Sequence, residues 1–369
     1  MAKIGIISAG AWGTAIGSQL GKAGHTVRMW AREEKLVNDI NELHENTLYL
    51  PGYTLSENVS ATKHIEEAVV GNELIILASP SQYLVSTVEQ ILKVPPFVST
   101  ETGSSDAFSE NGSNGASLPI IGILSKGFLK SDEGQPLFIT QVLEKMFPEP
   151  YNNRLLYISG PSHAEEVVQG KVTGLIVASS NPIVSIRARE ILKSRSLLVF
   201  SSLDVIGVQT CAAAKNIMAI AFGILSAITE ESPLFGDNCS SLLLAASLNE
   251  MQTLGKALGA THSETFTSIA GVGDLDVTCR SEFGRNRRLG REIVQKKILD
   301  AFSGIDDILE HSNRLGYLAE GVSACKYVHQ LAVEKNVKLP ISDAVYKILN
   351  KEATPQDIIF KLLDGEKDA

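Results

Sequence analysis

The longest apolar run of the chain, IGVQTCAAAKNIMAIAFGILSAI (206–228), carries Lys215 and Asn216 at its centre. A lysine inside an apolar helix either snorkels to the surface or faces a polar cleft. Burial without a role is uncommon for lysine, and desolvation lowers its pKa toward neutrality. Lys215 is therefore the best candidate for a general acid. Two further segments bear groups of matching chemistry. In ILSKG (123–127), Lys126 follows a buried strand, and ligands of open α/β sheets bind at strand C-terminal ends. In IAGVGDLDVTCRSEFGRNRRLG (269–290), Asp274 lies in a glycine-rich turn, followed by Thr278 and then by Arg285 and Asn286 at a helix start. Together these residues suit reduction of a ketone. Lys215 would protonate the forming alkoxide, Lys126 would polarise the carbonyl or hold the substrate, and Asp274 would orient Lys215. Arg285 and Asn286, near a helix N-terminus, would make a phosphate site.

Each of these residues also has a plain alternative. Lys126 reads equally as a strand-end surface lysine, Asp274 as a turn residue or cap, and Arg285 as part of a solvated charged face. His163, in SGPSHAEEV, has the chemistry of a general base, but its loop is better suited to cofactor or backbone contacts.

The elements that must position these groups fall into two blocks. Residues 1–202 alternate β-rich runs with helical patterns: KIGII (3–7), HTVRMW (25–30), NELIILAS (72–79), LPIIGILSKG (118–127), LLYISG (155–160), TGLIVAS (173–179) and SLLVFSS (196–202). Such near-continuous Ile/Leu/Val runs imply strands buried on both faces of a mostly parallel sheet. Residues 203–369 show helical periodicity and few β-branched runs, implying an all-helical second domain. The Ser/Gly/Asn-rich segment 94–119 reads as a long mobile surface loop and 364–369 as a frayed tail.

Bulk properties narrow the classes. At 369 residues, two domains are the natural expectation. A net charge of −9 gives no global attraction to nucleic acid or to an anionic membrane, so an anionic substrate needs a local cationic cluster. Cys211, Cys239, Cys279 and Cys325 form no CxxC pair or metal-ligand spacing, which fits free thiols in a reducing cytoplasm. The N-terminus shows no signal-peptide architecture. The polar centre of 206–228 argues against a membrane span.

The stretch AGAWG (9–13) follows the first strand directly. Its spacing fits a dinucleotide-binding turn, with Gly10 where backbone approaches a pyrophosphate and Gly13 where helix packs on strand. Ser8 occupies the first glycine place. The helix beginning near Trp12 would offer its free N–H groups to the phosphates. After the second strand come Ala31 and Arg32 rather than an acidic residue, and Arg32 leans the choice toward NADPH over NADH. These signals define an N-terminal Rossmann-type doubly wound sheet.

With these residues in place, the chain resembles the NAD(P)-dependent glycerol-3-phosphate dehydrogenases of soluble bacterial type, over nearly its whole length. The matching stretches include NELHEN and YLPG (41–52), LSKGF (124–128), AAAKNIMAIAFGI (212–224), AGVGDLDVTC (270–279), GRNRRLG (284–290) and AEGVSACK (319–326). The resemblance implies reversible reduction of dihydroxyacetone phosphate to sn-glycerol 3-phosphate, a supply for phospholipid synthesis, in a cleft between the two domains. It implies Lys215, Lys126 and Asp274 as catalytic residues. Gly10, Ala11, Trp12, Gly13, Arg32, Lys126, Ala164, Arg285 and Glu320 are the expected cofactor residues. Lys126, Gly160, Ser162, Lys215, Asn216, Asp274, Thr278, Gly284, Arg285 and Asn286 are those expected for the substrate, and no metal is implied. The sequence departs from the family at Ser8, at Ala246 where arginine is common, and at Gly284 where serine is usual. A homodimer is expected on base rates. The competing readings are a dehydrogenase of another 2-keto or 3-hydroxy acid, and a cofactor-binding protein without catalysis.

Overall fold

The computed structural model describes residues 1–97, 118–131, 133–282 and 284–358. Most of the 94–119 segment and the 364–369 tail lie outside the described residues. In chain order the elements begin with β1 (Lys3–Ile7), α1 (Ala11–Lys22), β2 (Thr26–Trp30), α2 (Glu34–Asn38), β3 (Glu45–Asn46), β4 (Leu50–Thr54), β5 (Val59–Thr62), α3 (Ile65–Val69), β6 (Leu74–Leu77) and α4 (Ser81–Ile91). They continue with β7 (Ile120–Ile123), a hairpin of β8 (Phe128–Lys130) and β9 (Pro136–Phe138), α5 (Ile139–Met146), β10 (Leu155–Ser159), α6 (Ala164–Val168), β11 (Thr173–Ala178), α7 (Pro182–Leu192) and β12 (Leu197–Ser202). Helices follow to the end: α8 (Val205–Glu231), α9 (Asp237–Leu258), α10 (Asp274–Arg280), α11 (Arg285–Gln295), α12 (Ile305–Glu310), α13 (Glu320–Lys335) and α14 (Pro340–Leu349).

Two compact units result. One comprises residues 1–125 and 138–205, the other 126–137 with the chain from 206 onward. The sequence places a boundary at 202/203 and assigns 126–137 to the first unit. The structure instead groups the β8–β9 hairpin with the helices, because Lys126 bonds Asp274 and Phe128 packs edge-on against Tyr327.

The first unit is built on an eight-stranded sheet of order β12-β11-β10-β7-β6-β1-β2-β5. All neighbours are parallel except β10 and β11. The central strands KIGII, LIIL and IIGI are almost wholly buried, as β-branched runs covered on both faces should be. From β1 the chain runs outward to β2 and β5, then returns to β6 on the other side of β1. The β1–α1 turn therefore sits at the switch in strand order, where open α/β sheets bind ligands. Two expectations need correction. SLLVFSS is not buried on both faces: β12 is an edge strand, and Leu198 and Phe200 are half exposed. VSAT, strand β5, is too short and small to register as an apolar run.

In the helical unit, α8 is the one described helix long and apolar enough to cross a membrane, but 89% of its most apolar stretch is buried within the protein. It serves as a core helix. Against it lies α11, at a separation only glycine permits. A Cβ at Gly223 would meet the Arg287 carbonyl oxygen at 2.1 Å, and one at Gly290 the Ile220 oxygen at 2.1 Å. This close crossing fixes the N-terminal turn of α11, with Arg285 and Asn286, beside the helix that carries Lys215. Both obstructing atoms are backbone, so neither can move alone. Gly290→Ala should therefore destabilise the helical unit by about 3 kcal/mol, read as a lower urea midpoint. An unchanged midpoint would mean that the two helices are free to part.

Candidate active site

The helical unit gathers most of the sequence-derived residues. A π-helical turn, Ile269–Gly273, capped by the Ser268 hydroxyl on the Ala270 N–H at 3.1 Å, delivers Asp274 to the start of α10. Such turns recur at functional sites. One Asp274 oxygen bonds Lys215 Nζ, and the other accepts from Lys126 Nζ at 3.3 Å. Asp274 is 1% exposed and its two cationic partners are largely covered. One turn along α10, Thr278 donates its hydroxyl proton to the Asp274 carbonyl and accepts from Lys215 at 2.9 Å. An ammonium carries three hydrogens. Two of those on Lys215 are committed to Asp274 and Thr278, and among the described residues the third is left for a ligand.

Burial lowers the Lys215 ammonium from the usual lysine range to about 7; Asp274 opposes that shift and Lys126 adds to it. Burial alone would push the Asp274 carboxyl up, but Lys126 and then Lys215 outweigh it and hold the group below the usual aspartate range. One carboxylate between two ammonium groups leaves the buried cluster with a net positive charge whenever Lys215 is protonated. That state favours an oxygen acquiring negative charge in front of it.

Beside the cluster, the side chain of Asn286 donates to Asn216 at 2.9 Å, and its oxygen accepts from the Gly321 N–H at 2.9 Å. The expected substrate residues Asn216 and Asn286 thus bind each other first. They tie α8, α11 and α13 together. Arg285 is exposed at the first turn of α11, whose N-cap Gly284 makes no side-chain cap bond. Glu320 is the first residue of α13.

The remaining expected residues belong to the sheet unit. Gly10, the N-cap of α1, has no side chain to offer, and among the described residues no side chain caps the first-turn amides of Ala11, Trp12 and Gly13. A Cβ at Gly10 would meet nothing nearer than the Ser8 hydroxyl at 3.8 Å, whereas one at Gly13 would collide with the Ser8 carbonyl at 2.5 Å. The turn therefore has an open side at Gly10 and a tightly packed side at Gly13, as a pyrophosphate cradle requires. Ser8 adopts φ 98°, the left-handed region that glycine tolerates, at a cost of roughly 1–3 kcal/mol. Trp12 donates its indole N–H to the Ser162 carbonyl at 2.7 Å and hydroxyl at 3.2 Å, and that hydroxyl donates to the Gly160 carbonyl at 2.9 Å. Trp12, Ser162 and Gly160 are thus one network, which ends where Ala164 opens α6. Arg32 is exposed just past β2, its guanidinium 5.7 Å from the Tyr83 ring centre.

Thr278 joined the expected substrate residues without a specific role. Its spacing of four from Asp274, one helical turn, is the signal that puts both on Lys215. Gly321, whose N–H anchors Asn286, carries no chemical signal in the sequence.

A switch-point glycine turn in one unit and a buried lysine–aspartate–lysine cluster in the other define a two-unit nicotinamide-dependent dehydrogenase. Comparison with known proteins specifies which kind. The family models described as NAD-dependent glycerol-3-phosphate dehydrogenase N-terminus and C-terminus match residues 3–184 and 204–360. An NAD(P)+ glycerol-3-phosphate dehydrogenase of Treponema denticola is 56% identical over 364 residues, covering 99% of both chains. That of Treponema pallidum (strain Nichols) is 52% identical, covering 98% of this chain and 99% of its own. The crystal structure of glycerol-3-phosphate dehydrogenase from Coxiella burnetii superposes with TM-score 0.77 at 28% identity, over 98% of this chain and 99% of that one. The chain belongs to the NAD-dependent glycerol-3-phosphate dehydrogenase family.

The Lys215 geometry sets a pH dependence. If protonated Lys215 is the acid, kcat/KM for ketone reduction falls as pH rises through about 7. The Thr278 oxygen accepts from the charged form and so stabilises it. Thr278→Val should move that midpoint downward by up to about one pH unit. A midpoint that stays in place, or rises, would remove Thr278 from this role.

Proposed function

We propose that the protein reversibly reduces dihydroxyacetone phosphate to sn-glycerol 3-phosphate, the glycerol phosphate of phospholipid synthesis. The observation that carries this reading is the buried Asp274 carboxylate between Lys126 and Lys215, with one Lys215 hydrogen uncommitted. When bound, the reduced nicotinamide supplies a hydride to the carbonyl carbon. As that C–H bond forms, the carbonyl π pair moves onto oxygen, and Lys215 Nζ gives that oxygen its proton. Lys126 and the protonated Lys215 stabilise the negative charge developing there, and Asp274 keeps both ammonium groups aimed. Arg285, unpaired by any described side chain and at the first turn of α11, takes the substrate phosphate. The uncapped amides after Gly10 take the cofactor pyrophosphate, with Trp12 braced on Ser162. In the reverse direction neutral Lys215 accepts the hydroxyl proton, and a group titrating near neutrality can serve both directions.

The test is oxidation of the reduced nicotinamide, followed by absorbance, with dihydroxyacetone phosphate and with unphosphorylated dihydroxyacetone as control. Rapid oxidation should require the phosphate. Lys215→Ala should lower turnover by ~10²–10⁴-fold with little change in cofactor affinity, and Arg285→Ala should abolish the preference for the phosphorylated ketone. A loss of only a few-fold in Lys215→Ala would assign the proton to another group, and no oxidation by folded protein would leave a different keto acid or binding without chemistry.

We propose NADPH as the preferred cofactor. Arg32, stacked on Tyr83 at the end of β2, suits a 2′-phosphate, and no acidic residue occupies its position. Arg32→Ala should raise the KM for NADPH much more than that for NADH; equal changes would sink the preference. We further propose a cytoplasmic homodimer, whose mass sedimentation would read directly.

A further inference from the structure

Asn46 lies on β3, 32 residues along the chain from Thr14, and has no part in the site described above. Its side chain is fully buried and bonded at both ends. The amide nitrogen donates to the Ala9 carbonyl at 2.8 Å and to the Thr14 hydroxyl at 2.7 Å, and the Thr14 hydroxyl also reaches the Ala9 carbonyl at 3.3 Å. The amide oxygen accepts from the Tyr49 N–H at 2.8 Å. Asn46 thus closes a ring of hydrogen bonds on the one peptide carbonyl between Ser8 and Gly10.

That carbonyl matters because a trans peptide is planar, with C=O and N–H pointing in opposite directions. Holding the Ala9 oxygen inward, against Asn46 and Thr14, turns the Gly10 N–H outward to the side of the turn that Gly10 leaves open. The clamp acts next to the strained residue. Ser8 is held at φ 98° without the freedom of glycine, and a strained conformation persists only when its surroundings over-determine it. Here those surroundings are the Ser8 N–H on the Trp30 carbonyl at 3.2 Å, the close packing of Gly13 on the Ser8 carbonyl, and the Asn46 clamp on the next peptide.

We infer that Asn46 is a positioning residue for cofactor binding: it orients the Ala9–Gly10 peptide and offsets the strain that Ser8 puts into the phosphate-binding turn. This rests on the dinucleotide site proposed above. The probes are NADPH and NADH themselves, with binding to the full-length protein measured by titration calorimetry in the absence of ketone, beside thermal unfolding and steady-state kinetics. Asn46→Asp keeps the shape and the acceptor for Tyr49 but loses both amide donors. It should weaken binding of both dinucleotides about tenfold, the worth of one buried hydrogen-bonding group. The KM for dihydroxyacetone phosphate and the kcat at saturating cofactor should stay within about threefold. Ser8→Gly should recover most of that affinity in the Asn46→Asp background, because glycine holds φ 98° without a clamp. Thr14→Val, which cuts one link of the ring and leaves Asn46 in place, should weaken binding by a smaller factor and serves if Asn46→Asp does not fold.

A lower melting temperature with unchanged dinucleotide affinity would make Asn46 purely structural and overturn the inference. So would failure of Ser8→Gly to restore binding, or an equal fall in affinity for ketone and dinucleotide. Unmodified protein that binds dinucleotide but does not oxidise it with dihydroxyacetone phosphate would sink the proposed reaction and leave the Asn46 assignment standing. Unmodified protein that binds neither dinucleotide would remove both.

Discussion

The Asp274 carboxylate, closed off from solvent and shared by two lysines, is the interaction on which the catalytic arrangement depends. A buried ion pair is a weak source of stability, because desolvating the charges offsets most of their attraction. Asp274 with Lys126 and Lys215 goes further, since two cations share one anion. Such a cluster is poorly balanced by itself and well balanced when a negative oxygen joins it. Burial lowers Lys215 to about 7, with Lys126 adding to the shift and Asp274 opposing it, while the two lysines hold the Asp274 carboxyl down against its own burial. Much of the surrounding helical unit serves this one residue. The π-helical turn presents it, α10 places Thr278 one turn away, and the β8–β9 hairpin brings Lys126 to its second oxygen.

The sheet unit answers a different constraint, the aim of backbone amides at a turn. Three glycine places normally leave such a turn unstrained, and here one is serine. The turn keeps its form because its neighbours remove the alternatives. Gly13 leaves no space for a side chain, Trp30 holds the Ser8 amide, and Asn46 and Thr14 hold the Ala9 carbonyl. A local sequence defect is thus absorbed by contacts from β2 and β3.

The sequence was most legible where chemistry and burial conflict. A lysine and an asparagine in the middle of an apolar helix are anomalies that elementary physical chemistry ranks from the residues alone, whereas an aspartate amid glycines reads equally as a turn residue. The Ile- and Val-rich central strands were legible for the complementary reason, since a run buried on both faces has no competing pattern. What escaped was short or relational. β5 is four residues of small side chains, and β12 carries an interior-like sequence at a sheet edge, where nothing local distinguishes the two. The move of residues 126–137 to the helical unit depends on partners nearly 150 and 200 residues away. Asn46 is invisible as a positioning group because its signal is a pair of distances, and Asn216 and Asn286, each read as a ligand contact, turn out to spend their first hydrogen bonds on one another.

That mutual bond clarifies how charge and polarity are divided around Lys215. Asn216 and Asn286 join three helices through neutral hydrogen bonds, so they fix the frame without altering its charge. The charged groups are then left to do what neutral ones cannot. In the proposed reaction Lys126 and Lys215 meet an oxygen that gains and loses negative charge, and Arg285 is exposed at the head of α11. Had an acidic residue stood in place of Asn286, it would have cancelled the cluster's positive charge and raised the lysine back toward its ordinary range, where it would hold its proton too firmly to give it up. Burial brings Lys215 toward neutrality against the pull of Asp274, and neutral struts beside it add no charge that would undo that shift, the property the proposed reversible proton donor needs.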